Sequence, residues 1–146
     1  MTVRRATPAD LAAIQAIARA AYAIYVERMG REPAPIVADF ASQIAAGQVH
    51  VLDAAGVAGY AVIYRRGDHL HLENVAVDPA RQGEGLGRRL LDFVEAEARR
   101  RGLAAIELYT NIHMTENQRL YPALGYVETG RRTEDGFARV FYRKAV

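Results

Sequence analysis

A glycine-rich segment between two differently patterned stretches constrains the fold of this chain most strongly. Gly83, Gly85 and Gly87 fall within five residues. They follow a stretch with the two-residue alternation of a strand and precede one with apolar residues at helical spacing. Such glycines let the backbone turn tightly and leave its N–H groups uncovered by Cβ atoms. Because a helix N-terminus adds a positive dipole end, the sequence predicts an anion-binding loop between a strand and a helix.

Hydrophobic periodicity predicts the elements on both sides of this loop. Thr7-Pro8-Ala9-Asp10 is a typical helix start, the helical spacing runs from about residue 8 into the 20s, and a second short helix is expected over 36–46. The other expected elements are strands at 49–53, 57–64, 69–77, 105–109, 126–129 and 137–143, and helices at 85–101 and 115–124. With a short first strand the order is β-α-α-β-β-β-α-β-α-β-β. This order predicts a mixed α/β (α+β) sandwich in a single domain over residues 1–146.

The third long strand changes phase in a way that predicts a β-bulge. Leu70 and Leu72 share one face, and Val75 and Val77 continue the apolar pattern one residue out of step. One extra residue near Glu73 restores the phase, which is the effect of a bulge. A sheet covered on both faces would explain the pattern without a bulge, but the bulge is the favoured interpretation.

Composition and charge exclude several classes of function. The chain has no cysteine, so disulfides, a thiol nucleophile and cysteine-ligated zinc are excluded. The net charge is only +2, and the arginine clusters at 65–66, 99–101 and 131–132 belong to different elements. No nucleic-acid partner is therefore expected. No signal-peptide core is visible and no apolar run approaches a membrane span, so a cytoplasmic protein without a membrane partner is expected.

Two common phosphate-binding loops do not match the glycine segment. A P-loop requires Gly-Lys-Ser/Thr, which is absent, and a dinucleotide fingerprint requires G-x-G-x-x-G in the first βαβ unit. Here the pattern is G-x-G-x-G, and Arg88 stands where the third glycine would be. The loop also follows strands that are expected to be antiparallel. A nucleotide-dependent oxidoreductase is therefore disfavoured.

The loop resembles the acetyl-CoA signature of the GNAT superfamily of N-acetyltransferases, Q/R-x-x-G-x-G/A. Here it is matched by Gln82-Gly83-Glu84-Gly85-Leu86-Gly87, after Val77-Asp78-Pro79. A second motif of that superfamily is matched by Asn117, Tyr121 and Gly125-Tyr126, with Tyr126 in place of the commoner phenylalanine and Pro122 directly after the first tyrosine. The resemblance implies a mostly antiparallel sheet of six to seven strands with a β-bulge, flanked by about four helices.

The resemblance further implies acetyl-CoA as cosubstrate. The pyrophosphate would rest on the amides of the loop, those of Gln82, Gly83, Gly85, Gly87 and Arg88. The pantetheine arm would pair with the backbone of Val75 and Val77 beyond the bulge, where an amide would point at the thioester oxygen. Asn117 would contact that arm, and Tyr121 would protonate the departing thiolate. The implied cofactor-binding residues are Val75, Ala76, Val77, Arg81, Gln82, Gly83, Gly85, Leu86, Gly87, Arg88, Asn117 and Tyr121.

The acceptor amine would need a base, because an ammonium group has a pKa of about 10. Glu73 is favoured since it lies at the inferred bulge, and Glu73 and Tyr121 form the predicted catalytic pair. An ordinary glutamate pKa of ~4.3 is low for this role, so partial desolvation or a relaying water would be required. His71 shares the face of Glu73 and is the alternative base. His69, His71 and Glu73 splay too far along one strand to hold a metal, and no metal is expected.

The acceptor is expected to bind against the first two helices and their connection. The candidate substrate residues are Tyr22, Tyr25, Glu27, Arg28 and His71. Aromatic and acidic groups suit a cationic amine, whereas Arg28 and Arg31 suit a carboxylate, so a small-molecule amine and a peptide amine both stay open. The resemblance implies an N-acetyltransferase that works by direct attack in a ternary complex, with a homodimer by analogy. A non-catalytic CoA-binding regulatory domain is the alternative.

Overall fold

The computed structural model describes all residues, 1–146, and has the expected element order. The strands are β1 (Thr2–Arg5), β2 (Val49–Asp53), β3 (Val57–Arg66), β4 (His69–Val77), β5 (Ala105–Asn111), β6 (Val127–Glu134) and β7 (Phe137–Ala145). The helices are α1 (Leu11–Met29), α2 (Phe40–Ala45), α3 (Leu86–Arg100) and α4 (Thr115–Ala123). One seven-stranded sheet has the order β1-β2-β3-β4-β5-β7-β6, and only β4 and β5 pair in parallel. The predicted fold class is confirmed.

The sheet carries an apolar core on each face. On one face α1 and α2 bury Ile14, Ile17 and Phe40 against β2 and β3. On the other face α3 buries Leu90 and Val94 against β3, β4 and β5. Both faces of the central strands are therefore covered, which holds the backbone of β4 between two helical layers.

The N-terminal helical stretch is more apolar than expected from the sequence, where no run was expected to approach the length of a membrane span. Pro8–Met29 contains an 18-residue window of mean hydropathy 1.2, which is long and apolar enough to cross a membrane by those measures alone. In the structure this stretch packs one side against the sheet through Ile14, Ile17, Ala18 and Tyr22. The absence of a membrane partner stays a prediction.

The predicted bulge in β4 is confirmed. Val62 of β3 pairs with Asn74, and the next residue, Ile63, pairs with Leu72, so Glu73 is the extra residue on β4. The parallel pairing of β4 with β5 covers only His69–His71. Beyond the bulge the two strands are no longer paired, and the β5 side of β4 is open there.

Two predicted boundaries differ from the structure by more than two residues. The second helix begins at Phe40 and not near residue 36, because the stretch around Pro33 and Pro35 forms turns and Asp39 then accepts a hydrogen bond from the Ser42 amide to start the helix. Strand β6 continues to Glu134, five residues beyond the predicted end. It does so because its exposed polar residues pair with β7 as far as the turn at Asp135-Gly136.

Candidate functional site

The glycine loop presents a row of backbone donors without partners. The amides of residues 83–88 donate to no carbonyl or side-chain acceptor, and the first amide of α3 bonded within the chain is that of Arg89, to Gly85. Gln82 differs from the prediction, because its amide is engaged with Pro79 at 3.4 Å. Six consecutive N–H groups at a helix N-terminus therefore form an anion-binding cradle that starts at Gly83.

The conformation of this cradle requires glycine at two positions. Gly83 has φ +86° and Gly85 has φ +75°, in the left-handed region that side chains disfavour. A Cβ atom at either position would meet no atom within 4 Å. It would project into open space, so the loop leaves room that a bound group can fill. The loop therefore fits a phosphate-bearing ligand.

The cradle borders a cavity of about 450 Å³ that also contains the predicted pantetheine and helix residues. Every predicted cofactor-binding residue lines this cavity: Val75, Ala76, Val77, Arg81, Gln82, Gly83, Gly85, Leu86, Gly87, Arg88, Asn117 and Tyr121. The structure thus brings these residues together. Whether they bind CoA stays a prediction.

The arginines beside the loop do not contribute equally. The Arg81 guanidinium donates to Glu84 at 3.1 Å and to the Ala54 carbonyl at 2.8 Å, so its main contacts fix the loop. Arg88 is exposed and its only partner is Asp92, one helical turn away. Arg89 lies in a separate surface groove. Arg88 is therefore the cation most available to a ligand in the cradle.

Tyr22 of α1 contacts β4 at its open side. Its buried hydroxyl lies 3.0 Å from the Val75 carbonyl oxygen and 3.2 Å from Asn74 Oδ1. The Val75 carbonyl therefore points away from β3, into the opening between β4 and β5. By strand alternation Val77 is directed the same way. Tyr22 also lines a second cavity on the far side of the bulge.

The second cavity, of about 80 Å³, contains the predicted base. It shares four lining residues with the larger cavity: Tyr22, Val75, Asn117 and Tyr121. Glu73 at the bulge lines only the second cavity. The cradle and the carboxylate therefore lie in two adjoining spaces that meet at Tyr121.

Glu73 is held by three neighbouring side chains. His71 Nε2 lies 2.8 Å from Oε2, the Tyr64 hydroxyl donates to the same oxygen at 3.1 Å, and the Tyr109 hydroxyl donates to Oε1 at 3.4 Å. Burial alone would raise the pKa of the Glu73 carboxyl, but these hydrogen bonds outweigh burial and leave the pKa below its ordinary value. Desolvation therefore does not raise the pKa of Glu73, which leaves the relaying water as the other condition stated for its role as base, and Glu73 is an anion at neutral pH.

Tyr121 lies where the two cavities meet. The residue is 5% exposed, and its ring packs against Tyr126 at a centroid distance of 5.4 Å. Burial raises the pKa of the Tyr121 hydroxyl, so this group is protonated at neutral pH and can act as a proton donor. Asn117, one helical turn earlier, also lines both cavities, and its amide contacts Met114 Sδ at 3.7 Å.

The candidate substrate residues are only partly brought together. Tyr22 lines the second cavity and His71 supports Glu73, as described above. Tyr25 lines the larger cavity and donates to Glu116 at 3.1 Å. Arg28 forms a bidentate pair with the same Glu116 at 2.8 and 2.9 Å, and exposed Glu27 lines neither cavity. Glu27 and Arg28 therefore lie outside both cavities, since the helix phase directs Arg28 toward α4, and their contact with the acceptor stays a prediction.

The histidine pattern does not gather into a metal site. His71 pairs with Glu73, whereas His69 approaches Asp68 and Glu107. Asp68, His69 and Glu107 lie close enough to hold an ion, but Arg143 forms ion pairs with both carboxylates. That guanidinium already balances their charge, and the absence of a metal stays a prediction.

Sequence reasoning missed much of the second cavity. Its unpredicted lining includes Met29, Pro33, Pro35, Tyr109, Met114, Phe137 and Arg139. The β6–β7 hairpin and the loop after α1 both contribute to this wall. The alternation of Phe137 and Arg139 on one face of β7 was the available signal, but it does not reveal what covers that face.

Comparisons with known proteins agree with this geometry. Residues 13–126 match the family model described as the acetyltransferase (GNAT) family. An IAA acetyltransferase of Azospirillum brasilense is 33% identical over 72 residues, which are 49% of this chain and 47% of that protein. The [ribosomal protein bS18]-alanine N-acetyltransferase of Escherichia coli (strain K12) is 39% identical over 61 residues, 42% of this chain and 41% of that protein. The chain thus aligns with less than half the length of these relatives.

Solved structures match over nearly the whole chain. The ribosomal-protein-S18-alanine N-acetyltransferase from Escherichia coli superposes with a TM-score of 0.77 at 27% identity, covering 99% of this chain and 92% of the other. The protein yncA from Salmonella typhimurium, solved with its cofactor acetyl-CoA, has a TM-score of 0.70 at 28% identity, covering 99% of this chain and 93% of the other.

Proposed function

We propose, from the premise that this chain belongs to the GNAT acetyltransferase family, that it transfers the acetyl group of acetyl-CoA to a primary amine. The amine attacks directly while both substrates are bound. The proposal also includes three predictions: the chain is a single domain, the protein is cytoplasmic, and it forms a homodimer. The name of a relative does not identify the acceptor here, because less than half of each relative's length is aligned.

One observation carries the proposal. Six adjacent amides without acceptors open into a cavity that shares Tyr121 with the cavity of Glu73. A phosphate-bearing ligand on the cradle can therefore extend to a tyrosine that adjoins a carboxylate. Acetyl-CoA has this arrangement, with a pyrophosphate at one end and a thioester at the other. Acetyl-CoA supplies the acetyl thioester, whose carbonyl carbon accepts the amine and whose sulfur leaves as a thiolate.

The loop and β4 would hold this cosubstrate. The amides of residues 83–88 would donate to the pyrophosphate, each such bond to a charged group contributing about 1.5–3 kcal/mol. The exposed Arg88 would add charge beside it. The open edge of β4 at Val75 and Val77 would bind the pantetheine arm, and Asn117 of the same cavity would contact it.

Glu73 would receive the proton of the attacking amine. Its carboxylate is ionised and fixed in position, so it can orient an ammonium or amine donor and accept a proton, directly or through a water, as the nitrogen lone pair bonds to carbon. The hydrogen bonds that lower its pKa also weaken it as a base. Orientation is therefore a larger part of its contribution than base strength.

Tyr121 would supply the proton that completes the reaction. Its neutral hydroxyl can protonate the sulfur as the carbon–sulfur bond breaks. The amine has then lost one proton and the thiol has gained one, so the balance closes with Tyr121 reprotonated from Glu73 or from solvent. The products are the N-acetylated amine and the free thiol.

The first test is the thermal midpoint with and without acetyl-CoA, with NAD and ATP as controls. A ligand at ~100 times its Kd adds about 2.7 kcal/mol to the unfolding free energy, which corresponds to roughly 5–10 °C for a chain of this size. Thiol release with a panel of primary amines then measures acetyl transfer. No rise with millimolar acetyl-CoA would refute the proposal, and a rise without turnover on any amine would favour the regulatory CoA-binding domain.

A further inference from the structure

Arg139 is a cation in the wall of the second cavity that the proposed acetyl transfer does not use. Its side chain is only 10% exposed, and its guanidinium carbon lies 4.3 Å from the centroid of the Tyr109 ring. One hydrogen bond, from Nη1 to Glu134 Oε1 at 3.2 Å, holds it, and Asp135 Oδ2 lies 4.0 Å from the same nitrogen. The other four N–H groups have no protein acceptor. A largely buried guanidinium with free donors beside a cavity is suited to an anionic group, above all a carboxylate.

Tyr109 places this cation close to the carboxylate of Glu73. Arg139 covers the face of the Tyr109 ring, and the hydroxyl of the same ring donates to Glu73 Oε1 at 3.4 Å. The cavity therefore has an anion and a cation on opposite parts of one aromatic side chain. A ligand with an amine at one position and a carboxylate at another complements both charges.

The remaining wall of this cavity is mostly apolar. Met29, Pro33, Pro35, Met114 and Phe137 contribute apolar surface, and Asn74, Thr110, Asn111 and Asn117 add polar side chains. Arg31 lies 3.7 Å from the centroid of the Phe137 ring and donates to the Asp135 carbonyl at 3.4 Å. These contacts fix the loop after α1 to the tip of the β6–β7 hairpin. The space of about 80 Å³ suits a small ligand better than a protein segment.

We infer that the acceptor is a small apolar amino acid or a close analogue, whose carboxylate binds Arg139 and whose amine faces Glu73. This inference rests on the proposed acetyl transfer and specifies its substrate class. The other cations near the acceptor region, Arg28 paired with Glu116 and Arg31 bound to the hairpin, do not line this cavity, whereas Arg139 does. Arg139 is thus the specificity-determining residue of the cavity.

The test compares each amino acid with its own carboxamide, which keeps the amine and side chain but removes the negative charge. Leucine, methionine and phenylalanine and their amides serve as the panel, and thiol release gives kcat/KM. The wild type is expected to prefer the acid by about 10- to 100-fold, as the loss of hydrogen bonds to a charged group implies. Arg139→Met is expected to abolish the preference, and Arg139→Lys to retain part of it.

Arg132 provides the matched control. It pairs across the hairpin with Arg139 and contacts the same Glu134, but its guanidinium covers the Phe141 ring and it does not line the cavity. Arg132→Met should keep the wild-type preference. Because the acid-to-amide ratio is measured on one enzyme preparation, it does not depend on the folded fraction of a destabilised variant.

The outcomes distinguish failure of the carboxylate assignment from failure of the proposed acetyl transfer. Equal rates on acid and amide, or an unchanged ratio in Arg139→Met, would overturn the carboxylate assignment and leave acetyl transfer intact. Faster acetylation of peptide N-termini than of free amino acids would also overturn it. Absence of both acetyl-CoA stabilisation and thiol release with every amine would overturn the proposed function and this inference together.

Discussion

His71 Nε2 lies 2.8 Å from Glu73 Oε2, so the histidine before the bulge of β4 holds the carboxylate at the bulge. The His71 ring is buried and packs beside Tyr64 and Tyr109, the two residues whose hydroxyls also donate to Glu73. The carboxylate is therefore oriented by the packing of three strands and not by solvent. Its position is fixed before any substrate binds.

Glu73→Gln should lower kcat/KM by about 10²–10⁴, the usual contribution of general acid–base catalysis, because the amide cannot accept the proton of the amine. Binding of acetyl-CoA should be unchanged, since Glu73 does not line the larger cavity. Thiol release and the acetyl-CoA-dependent thermal midpoint measure the two effects. Glu128→Gln, in an exposed pair with Arg131, is the control and should keep wild-type activity. Wild-type turnover in Glu73→Gln would remove Glu73 from the mechanism.

The pH profile should depend on the contact between His71 and Glu73. In the wild type the pKa of Glu73 lies below its ordinary value, so Glu73 stays ionised above pH 5. His71→Phe keeps a ring in place but removes a hydrogen bond to the carboxylate. Without this hydrogen bond, burial is opposed by fewer contacts, and the pKa of Glu73 should rise. The ratio of variant to wild-type kcat/KM should therefore fall as the pH becomes more acidic. Parallel profiles between pH 5 and 9 would contradict this coupling.

The sequence predicted those parts of the site that depend on local pattern. The phase slip from Leu72 to Val75 revealed the bulge because the period of a strand is fixed. The spacing of Gly83, Gly85 and Gly87 revealed the cradle because left-handed backbone and open amides require glycine there. Both signals are contained within fewer than ten residues.

The acceptor wall could not be predicted in the same way, because it depends on contacts between distant segments. Arg139 alternates along β7 like a solvent-facing residue, but its side chain is only 10% exposed and packs over the Tyr109 ring of β5. The loop carrying Arg31 contacts the same hairpin near Asp135. The position of Arg28 near the end of the first helix predicts that it contacts the acceptor amine. Its pairing with Glu116 joins residues that are 88 positions apart. Local pattern contains no information on either contact.

Tyr121→Phe should lower kcat by about 10²–10⁴ if the hydroxyl protonates the leaving thiolate. The ring and its packing are kept, so acetyl-CoA binding should stay close to wild type. Tyr126→Phe is a matched control, since Tyr126 packs edge to face on Tyr121 and its buried hydroxyl has no partner. Removing that hydroxyl should leave kcat unchanged and stability equal or slightly higher. Equal activity of the two variants would show that Tyr121 acts only through packing.

Gly85→Ala should destabilise the protein by about 1 kcal/mol and also weaken acetyl-CoA binding, because its φ is +75° and a Cβ there would project into the cradle. Gly67→Ala is the control for backbone strain: Gly67 has φ +59° with nothing near a Cβ, in the β3–β4 turn away from both cavities. Both variants should lower the thermal midpoint, but only Gly85→Ala should reduce the further rise with acetyl-CoA. Equal rises would place the ligand elsewhere.

Asp10 should stabilise the fold in a pH-dependent way. It accepts hydrogen bonds from Arg4 at 2.9 and 3.0 Å and from the Thr7 amide at 2.8 Å, and it is buried. Hydrogen bonding to Arg4, more than the Thr7 amide, lowers the pKa of Asp10 from 3.8 to about 2. Above pH 3.8 both the folded and unfolded states carry the anion, and the folded state gains its contacts. Below that pH the unfolded state takes up a proton first, which removes the gain as the pH approaches 2.

Asp10→Asn should therefore reduce the unfolding free energy at pH 7 by about 1–3 kcal/mol, the range for hydrogen bonds to a charged group. The difference from wild type should shrink between pH 3.8 and 2, the window given by the two pKa values of Asp10. Urea unfolding at pH 7, 4, 3 and 2.5 measures it. Asp92→Asn is the control, because it makes the same substitution in an exposed ion pair with Arg88. It should change the unfolding free energy by less than about 0.5 kcal/mol. A difference that persists undiminished at pH 2.5 would show that shape, and not the charge of Asp10, stabilises this helix start.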